Sequence, residues 1–73
     1  MTKQDALNYI DSRKNTILNN AKRHFERMQK ELADIDDMER FYRRIEDIAE
    51  YSKDMQRSLE TLTQQEQVLA ALD

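Results

Sequence analysis

Apolar side chains recur every three or four residues along almost the whole chain. The first block comprises Leu7, Ile10, Ile17, Ala21, Phe25, Met28 and Leu32. The second comprises Met38, Phe41, Ile45, Ile48, Met55, Leu59, Leu62 and Leu69. This spacing places the apolar side chains on one face of a helix. With the polar Ser52 and Glu66 counted in, the second block alternates steps of three and four as a coiled-coil seam does. The pattern predicts two long helices.

The two blocks are out of phase where they meet. Three consecutive steps of three residues run from Leu32 to Phe41, so a continuous apolar stripe would drift round the helix there. The same stretch resembles a helix start, with Asp36 as the N-cap and the Glu39 side chain reaching back to it. A turn between two helices is therefore favoured over a single uninterrupted helix, which is the alternative.

The predicted boundaries define one domain over residues 1–73. Helix 1 is expected over about 3–33, the turn over about 34–36 and helix 2 over about 37–72. Thr2 can cap helix 1 with Asp5 three residues on. Thr63 and Glu66 repeat a capping pattern, so helix 2 either continues straight or breaks near residue 63.

The composition supports helices and little else. The 73 residues include no glycine, proline or cysteine. Tight hairpin turns between strands normally need glycine or proline, whereas the abundant Glu, Gln, Lys, Arg, Leu and Ala are good helix formers. The fold class is therefore predicted to be all-α.

The two helices are expected to pair antiparallel as a coiled-coil-like hairpin. Partners around one turn have residue numbers that add to a constant, and a value of 69 or 70 pairs Phe25 with Ile45 and Ile10 with Leu59. This register brings Lys14 and Ser52 together as polar residues in the seam. They either fix the register at some cost in stability, or Lys14 extends its ammonium group outward to solvent.

A single hairpin of this size buries little apolar surface, and no disulfide or metal-ligand cluster supports it. In the predicted register helix 2 extends past helix 1, so its apolar C-terminal end overhangs. Apolar side chains also flank the seam, among them Leu18 and Tyr42. We therefore expect the hairpin to form a homodimer, a four-helix bundle, or to bind a protein partner.

Charge divides unevenly between the halves. Residues 1–35 contain seven Lys/Arg and five Asp/Glu, for a net charge of +2, and residues 36–73 contain five and ten, for −5. Their sum is the overall −3. Complementary solvated faces of a hairpin explain this division. Arg23, Arg27 and Lys30 form a basic ridge that RNA could bind, but the negative net charge disfavours nucleic acid, which is the third hypothesis.

No motif for catalysis or for a cofactor is present. The chain lacks a glycine-rich phosphate loop and a thiol. His24 is the only histidine, and Ala21 stands where a Glu-x-x-His metal motif needs its glutamate. We expect no enzyme activity, no metal, no cofactor and no small-molecule substrate.

A cytoplasmic location is expected. The segment from Met1 to Asp5 is polar, unlike the apolar core of a secretory signal. The longest apolar run, 68–72, is far shorter than the roughly 20 residues of a membrane span. No membrane association is therefore predicted.

The leading functional hypothesis is a small protein–protein interaction module, acting as an adaptor, inhibitor or regulator. The alternative is a self-assembling structural bundle without a separate target. Aromatic and apolar side chains left over from a seam are the usual anchors of interfaces. The predicted partner-binding residues are Tyr42, Tyr51, Val68, Leu69 and Leu72.

Overall fold

The protein is an antiparallel pair of helices. A computed structural model describes residues 1–72, in which α1 spans Lys3–Ala33 and α2 spans Met38–Ala71. The molecule is a rod of 57 × 16 × 12 Å. The predicted all-α helical hairpin is confirmed, and the single long helix is excluded. Helix α2 continues through Thr63 without a break, while Asp73, the last residue of the predicted domain, lies outside the described residues.

The start of α1 has the predicted capping box. The Thr2 hydroxyl accepts a hydrogen bond from the Asp5 backbone N–H at 3.1 Å, and the Asp5 carboxylate accepts one from the Thr2 N–H at 3.1 Å. Two backbone donors at the helix end are thereby satisfied, and the carboxylate lies at the positive end of the helix dipole.

The turn is made by residues 34–37 without any left-handed backbone. Asp34 caps the C-terminus of α1 in a right-handed conformation (φ −97°, ψ −2°), and no residue described has a positive φ. The N-cap of α2 is Asp37, whose side chain accepts from the Glu39 N–H at 3.1 Å. The prediction of Asp36 as this cap was wrong. Two adjacent aspartates offer the same carboxylate, and Asp37 is the one within reach of a free N–H two residues on.

The core between the helices is thin. Among the described residues only Ile10, Ala21 and Met28 are buried, and all three lie on α1. Each facing apolar residue of α2 remains at least partly accessible to solvent. Two helices can enclose only the line along which they touch, so each apolar face keeps two uncovered edges.

The observed register differs from the predicted one. His24 stacks on Tyr51 and Glu31 pairs with Arg44, and in both pairs the residue numbers add to 75 rather than 69 or 70. The helices are thus displaced by about six residues, close to one heptad, from the predicted alignment. A shift of one heptad keeps the same seam positions facing each other, so periodicity alone does not separate the two registers.

This shift removes the predicted overhang. The Lys3 ammonium group donates to the backbone oxygen of Leu72 at 2.6 Å and to that of Ala70 at 3.4 Å, so the end of α2 lies level with the start of α1. Lys14 does not lie beside Ser52 as predicted. It pairs with Glu66, whereas the Ser52 hydroxyl donates to the Ile48 backbone oxygen within α2.

Candidate functional site: an open apolar face

The rod has two long sides, and polar and aromatic contacts cover one of them. The His24 and Tyr51 rings stack with centroids 4.1 Å apart, and Phe25 meets Tyr51 edge-on at 5.6 Å. Toward the turn, the Arg44 guanidinium lies 3.0 Å from Glu31 Oε2. We call this side, defined by His24, Glu31, Arg44 and Tyr51, the closed face.

The ion pair between Glu31 and Arg44, at the turn end of the closed face, includes a third charged residue. Arg44 also lies 3.6 Å from the Asp47 carboxylate, so one guanidinium joins Glu31 on α1 to Asp47 on α2. The Glu31 Oε2 atom is itself screened from solvent and makes this contact without a directed hydrogen bond. The charge on Arg44 is therefore balanced within the hairpin.

The opposite side carries large apolar side chains that the hairpin covers only in part. Their spacings of 4, 11 and 14 residues are close to whole helical turns, so they lie along one edge of each helix. We call this side the open face; its members are Leu7, Leu18 and Leu32 on α1, and Phe41, Ile45 and Leu59 on α2. Leu18 and Ile45 are each 41% exposed, and the other four are half-buried.

A single ion pair crosses the open face near its free end. The Lys14 Nζ atom lies 3.2 Å from Glu66 Oε2, with the side chains 22% and 37% exposed. The Lys14 stem lies along the apolar edge of α1 while its charge is neutralised by α2. The prediction of a polar position in the seam therefore holds for Lys14, with a different partner.

The accessible surface is large for the mass. The chain of 8.8 kDa exposes 6075 Å², whereas a compact monomer of that mass exposes about 4,800 Å². The excess is about 1,300 Å². The elongated shape of the hairpin accounts for this excess, and Leu18 and Ile45 of the open face are among its exposed apolar side chains.

The predicted partner-binding residues do not converge on one surface. Tyr51 is half-buried in the closed face, where its ring contacts His24. Tyr42 is 61% exposed and borders the open face near the turn. Val68 is 63% exposed on the outer side of α2, and Leu72 is 55% exposed at its end. Leu69 is half-buried on the closed side.

The basic ridge is fully accessible. Arg23, Arg27 and Lys30 are exposed on the outer side of α1, and within residues 1–72 none of them lies in an ion pair. Nucleic-acid binding by this ridge stays a prediction. Glu26 lies on the same helix and lowers the local positive charge. On α2, beyond the turn, Arg43 is paired with Glu39 of the same helix at 3.2 Å.

Sequence reasoning missed the open face as a unit. The apolar pattern places Leu18 beside the seam but Ile45 and Leu59 within it. The apolar spacing does not distinguish the two registers, because a shift of one heptad keeps the same seam positions facing each other.

Two further properties bear on the class of site. Within residues 1–72, neither helix contains a segment both long and apolar enough to cross a lipid bilayer. In the same part of the chain, no group of three or more His, Cys, Asp or Glu side chains is arranged to hold a metal ion. The surface clefts are shallow, and the one beside the open face is lined by α2 residues that include Met55, Leu59 and Thr63.

Comparison with known proteins returns no relative: no protein-family model, curated protein or solved structure matches the chain significantly.

Proposed function

We propose that this chain is a non-catalytic protein–protein interaction module that binds another protein chain through the open face. One observation carries the proposal. Only three side chains are buried in the described hairpin, while six large apolar side chains line one side and remain half-buried or exposed. Apolar surface of that extent is covered in most soluble proteins, and where it is not, it is commonly an interaction site.

The shape of the open face specifies the partner's form. The open face is a groove between the facing edges of the two helices, and it runs along a rod that is 57 Å long. A helix or a helical hairpin of comparable length is the element that fills such a groove, with side chains spaced three and four residues apart. The proposed role is that of an adaptor, inhibitor or regulator in the cytoplasm.

A second copy of the chain is the simplest partner of that form. Two hairpins joined at their open faces make a four-helix bundle, with the six apolar residues of each chain in a shared core. If each chain covered its excess of about 1,300 Å², the pair would bury about 2,600 Å², within the range of obligate homodimers.

The test compares a lysine on the open face with a lysine elsewhere. Ile45→Lys places a charge in the proposed interface, whereas Tyr9→Lys changes a residue that is 61% exposed on the outer side of α1. We expect Ile45→Lys to abolish association of the full chain in sedimentation experiments and to lower its helicity at micromolar concentration, with Tyr9→Lys retaining both.

Two results would oppose the proposal. One is that both variants associate and melt as the parent chain does. The other is a parent chain that is monomeric and fully helical, with a melting temperature that Ile45→Lys does not change. The open face would then be stable in water without a partner.

A further inference from the structure

The proposed function leaves open how two copies would be arranged. Resting on that proposal, we infer that the second copy lies on the open face with its turn at the same end of the bundle, so that the turn ends of the two chains pack on each other. Apolar and charged side chains are divided unevenly along the open face, and this division selects the arrangement.

The turn end of the open face is its most apolar part. Met38 precedes Ile45 by seven residues, which is close to two helical turns, so the two lie on the same side of α2. Met38 is 65% exposed, and Tyr42 between them is also exposed. Phe41 on α2 and Leu32 on α1 are half-buried beside them. We call these five residues the turn patch.

Toward the free end the open face becomes polar. Leu7 is the member of the face nearest that end, and the Lys14–Glu66 ion pair crosses the face beside it. On α2 the same stretch contains Thr63 and Gln67, which line a shallow cleft. A partner that covers the whole face therefore meets apolar side chains at one end and polar side chains at the other.

Two symmetric arrangements are available for face-to-face hairpins. With a twofold axis along the rod, the turns lie together and each level of one chain faces the same level of the other. With a twofold axis across the rod, the turns lie apart and the turn end of each chain faces the free end of the other. The first arrangement packs α1 on α2 of the second copy, whereas the second packs each helix on its own copy.

The turn patch favours the turns-together arrangement. The pairing of His24 with Tyr51 shows that residues at the same level have numbers that add to 75. Leu32 is therefore level with position 43, between Phe41 and Ile45 of the second copy. A side chain in that place packs as a knob into a hole of the facing helix. The two turn patches thus cover each other.

The turns-apart arrangement would set each turn patch against polar surface. The free end carries the ammonium group of Lys3, which donates to the last backbone oxygens of α2. Covering a charged group with apolar side chains removes water from it without supplying a new partner, which costs free energy.

The Lys14–Glu66 pair also favours the turns together. In that arrangement the two copies of the pair lie at the same level, and Lys14 neighbours Glu66 of its own chain and Glu66 of the second copy. Positive and negative charges then alternate around the four helices. With the turns apart, each partly buried pair would face a level nearer the other chain's turn and would lose water without gaining an opposite charge.

The test measures energy transfer between two chains. The sequence has no cysteine, so Asp36→Cys in the turn and Asn8→Cys near the free end can each carry one dye at an exposed position. A donor on Asp36→Cys should transfer strongly to an acceptor on Asp36→Cys of the second copy. It should transfer weakly to an acceptor on Asn8→Cys, which lies about 40 Å further along the rod. The reverse order would show the turns apart and overturn the inference.

Mixing two charge variants checks the layer made by Lys14 and Glu66. Lys14→Glu leaves four carboxylates at that level and Glu66→Lys leaves four ammonium groups, so each variant alone should associate poorly. An equimolar mixture should form heterodimers with a dissociation constant about tenfold below that of either variant. Exchange of charges at the exposed Arg43–Glu39 pair, by Arg43→Glu and Glu39→Arg, should give no such preference. No gain on mixing Lys14→Glu with Glu66→Lys would contradict the shared layer.

Failure of this arrangement is distinguishable from failure of the proposed function. If Ile45→Lys abolishes association while transfer is stronger to Asn8→Cys than to Asp36→Cys, the arrangement is wrong and the proposed function stands. A chain that shows no transfer to either position and sediments as a monomer overturns the inference.

Discussion

The ammonium group of Lys14 on α1 lies 3.2 Å from Oε2 of Glu66 on α2, and this contact fixes the free end of the hairpin in register. The two residues lie on facing edges of the open face, each only partly accessible to solvent. A displacement of one heptad would separate them by about 10 Å along the rod. The ion pair thus distinguishes alignments that the apolar pattern leaves equivalent.

The coupling between Lys14 and Glu66 is measurable with a double-mutant cycle. We expect Lys14→Met and Glu66→Gln each to lower the free energy of unfolding, with a coupling of about 0.2–1 kcal/mol at low salt because the pair is partly exposed. The Arg43–Glu39 pair, with side chains 74% and 76% exposed, serves as the control. A coupling for Lys14 and Glu66 no larger than that of the control would contradict a role in setting the register.

Lys3 is expected to hold the last turn of α2. Its ammonium group donates to the backbone oxygen of Leu72 at the negative end of the helix dipole. Replacing it in Lys3→Gln should lower the free energy of unfolding by about 0.3–1 kcal/mol. Amide exchange of residues 68–72 should also become faster. Lys22→Gln, at an exposed lysine without an ion pair, is the matched control; equal effects of the two variants would refute the contact.

The two adjacent aspartates of the turn should differ in their contribution to stability. Asp37→Ala removes the carboxylate that caps α2 through the Glu39 N–H, so we expect it to destabilise the protein by about 1 kcal/mol. Asp36→Ala should change stability by less than about 0.5 kcal/mol. Thermal melts of the two variants followed by circular dichroism decide this, and the reverse order would reinstate Asp36 as the cap.

The sequence predicts helix positions here better than it predicts their alignment. The Thr2–Asp5 capping box and the hairpin itself depend on neighbouring residues and on periodicity, both visible in the sequence. The pairing of His24 with Tyr51 depends on how the turn residues 34–37 join the two helices, and heptad repeats in both helices tolerate a shift of about seven residues. The open face could therefore be identified only after the register was observed.

Neighbouring residues Ile10 and Tyr9 should respond to truncation very differently. Ile10 is 4% exposed between the helices, and Tyr9 is 61% exposed. Ile10→Ala should cost about 2–5 kcal/mol, because it removes buried methyl groups and leaves a cavity. Tyr9→Ala should stay within about 0.5 kcal/mol. Urea unfolding of both variants measures the difference, and similar losses would mean that the helices pack in another rotation about their axes.

The most direct test of the central claim, that a second chain covers the open face, is the melting temperature over a hundredfold range of protein concentration. Association stabilises the folded state by mass action, so we expect the melting temperature to rise steadily with concentration, at both low and high salt. A melting temperature independent of concentration, together with a light-scattering mass equal to the 8.8 kDa of one chain, would contradict it.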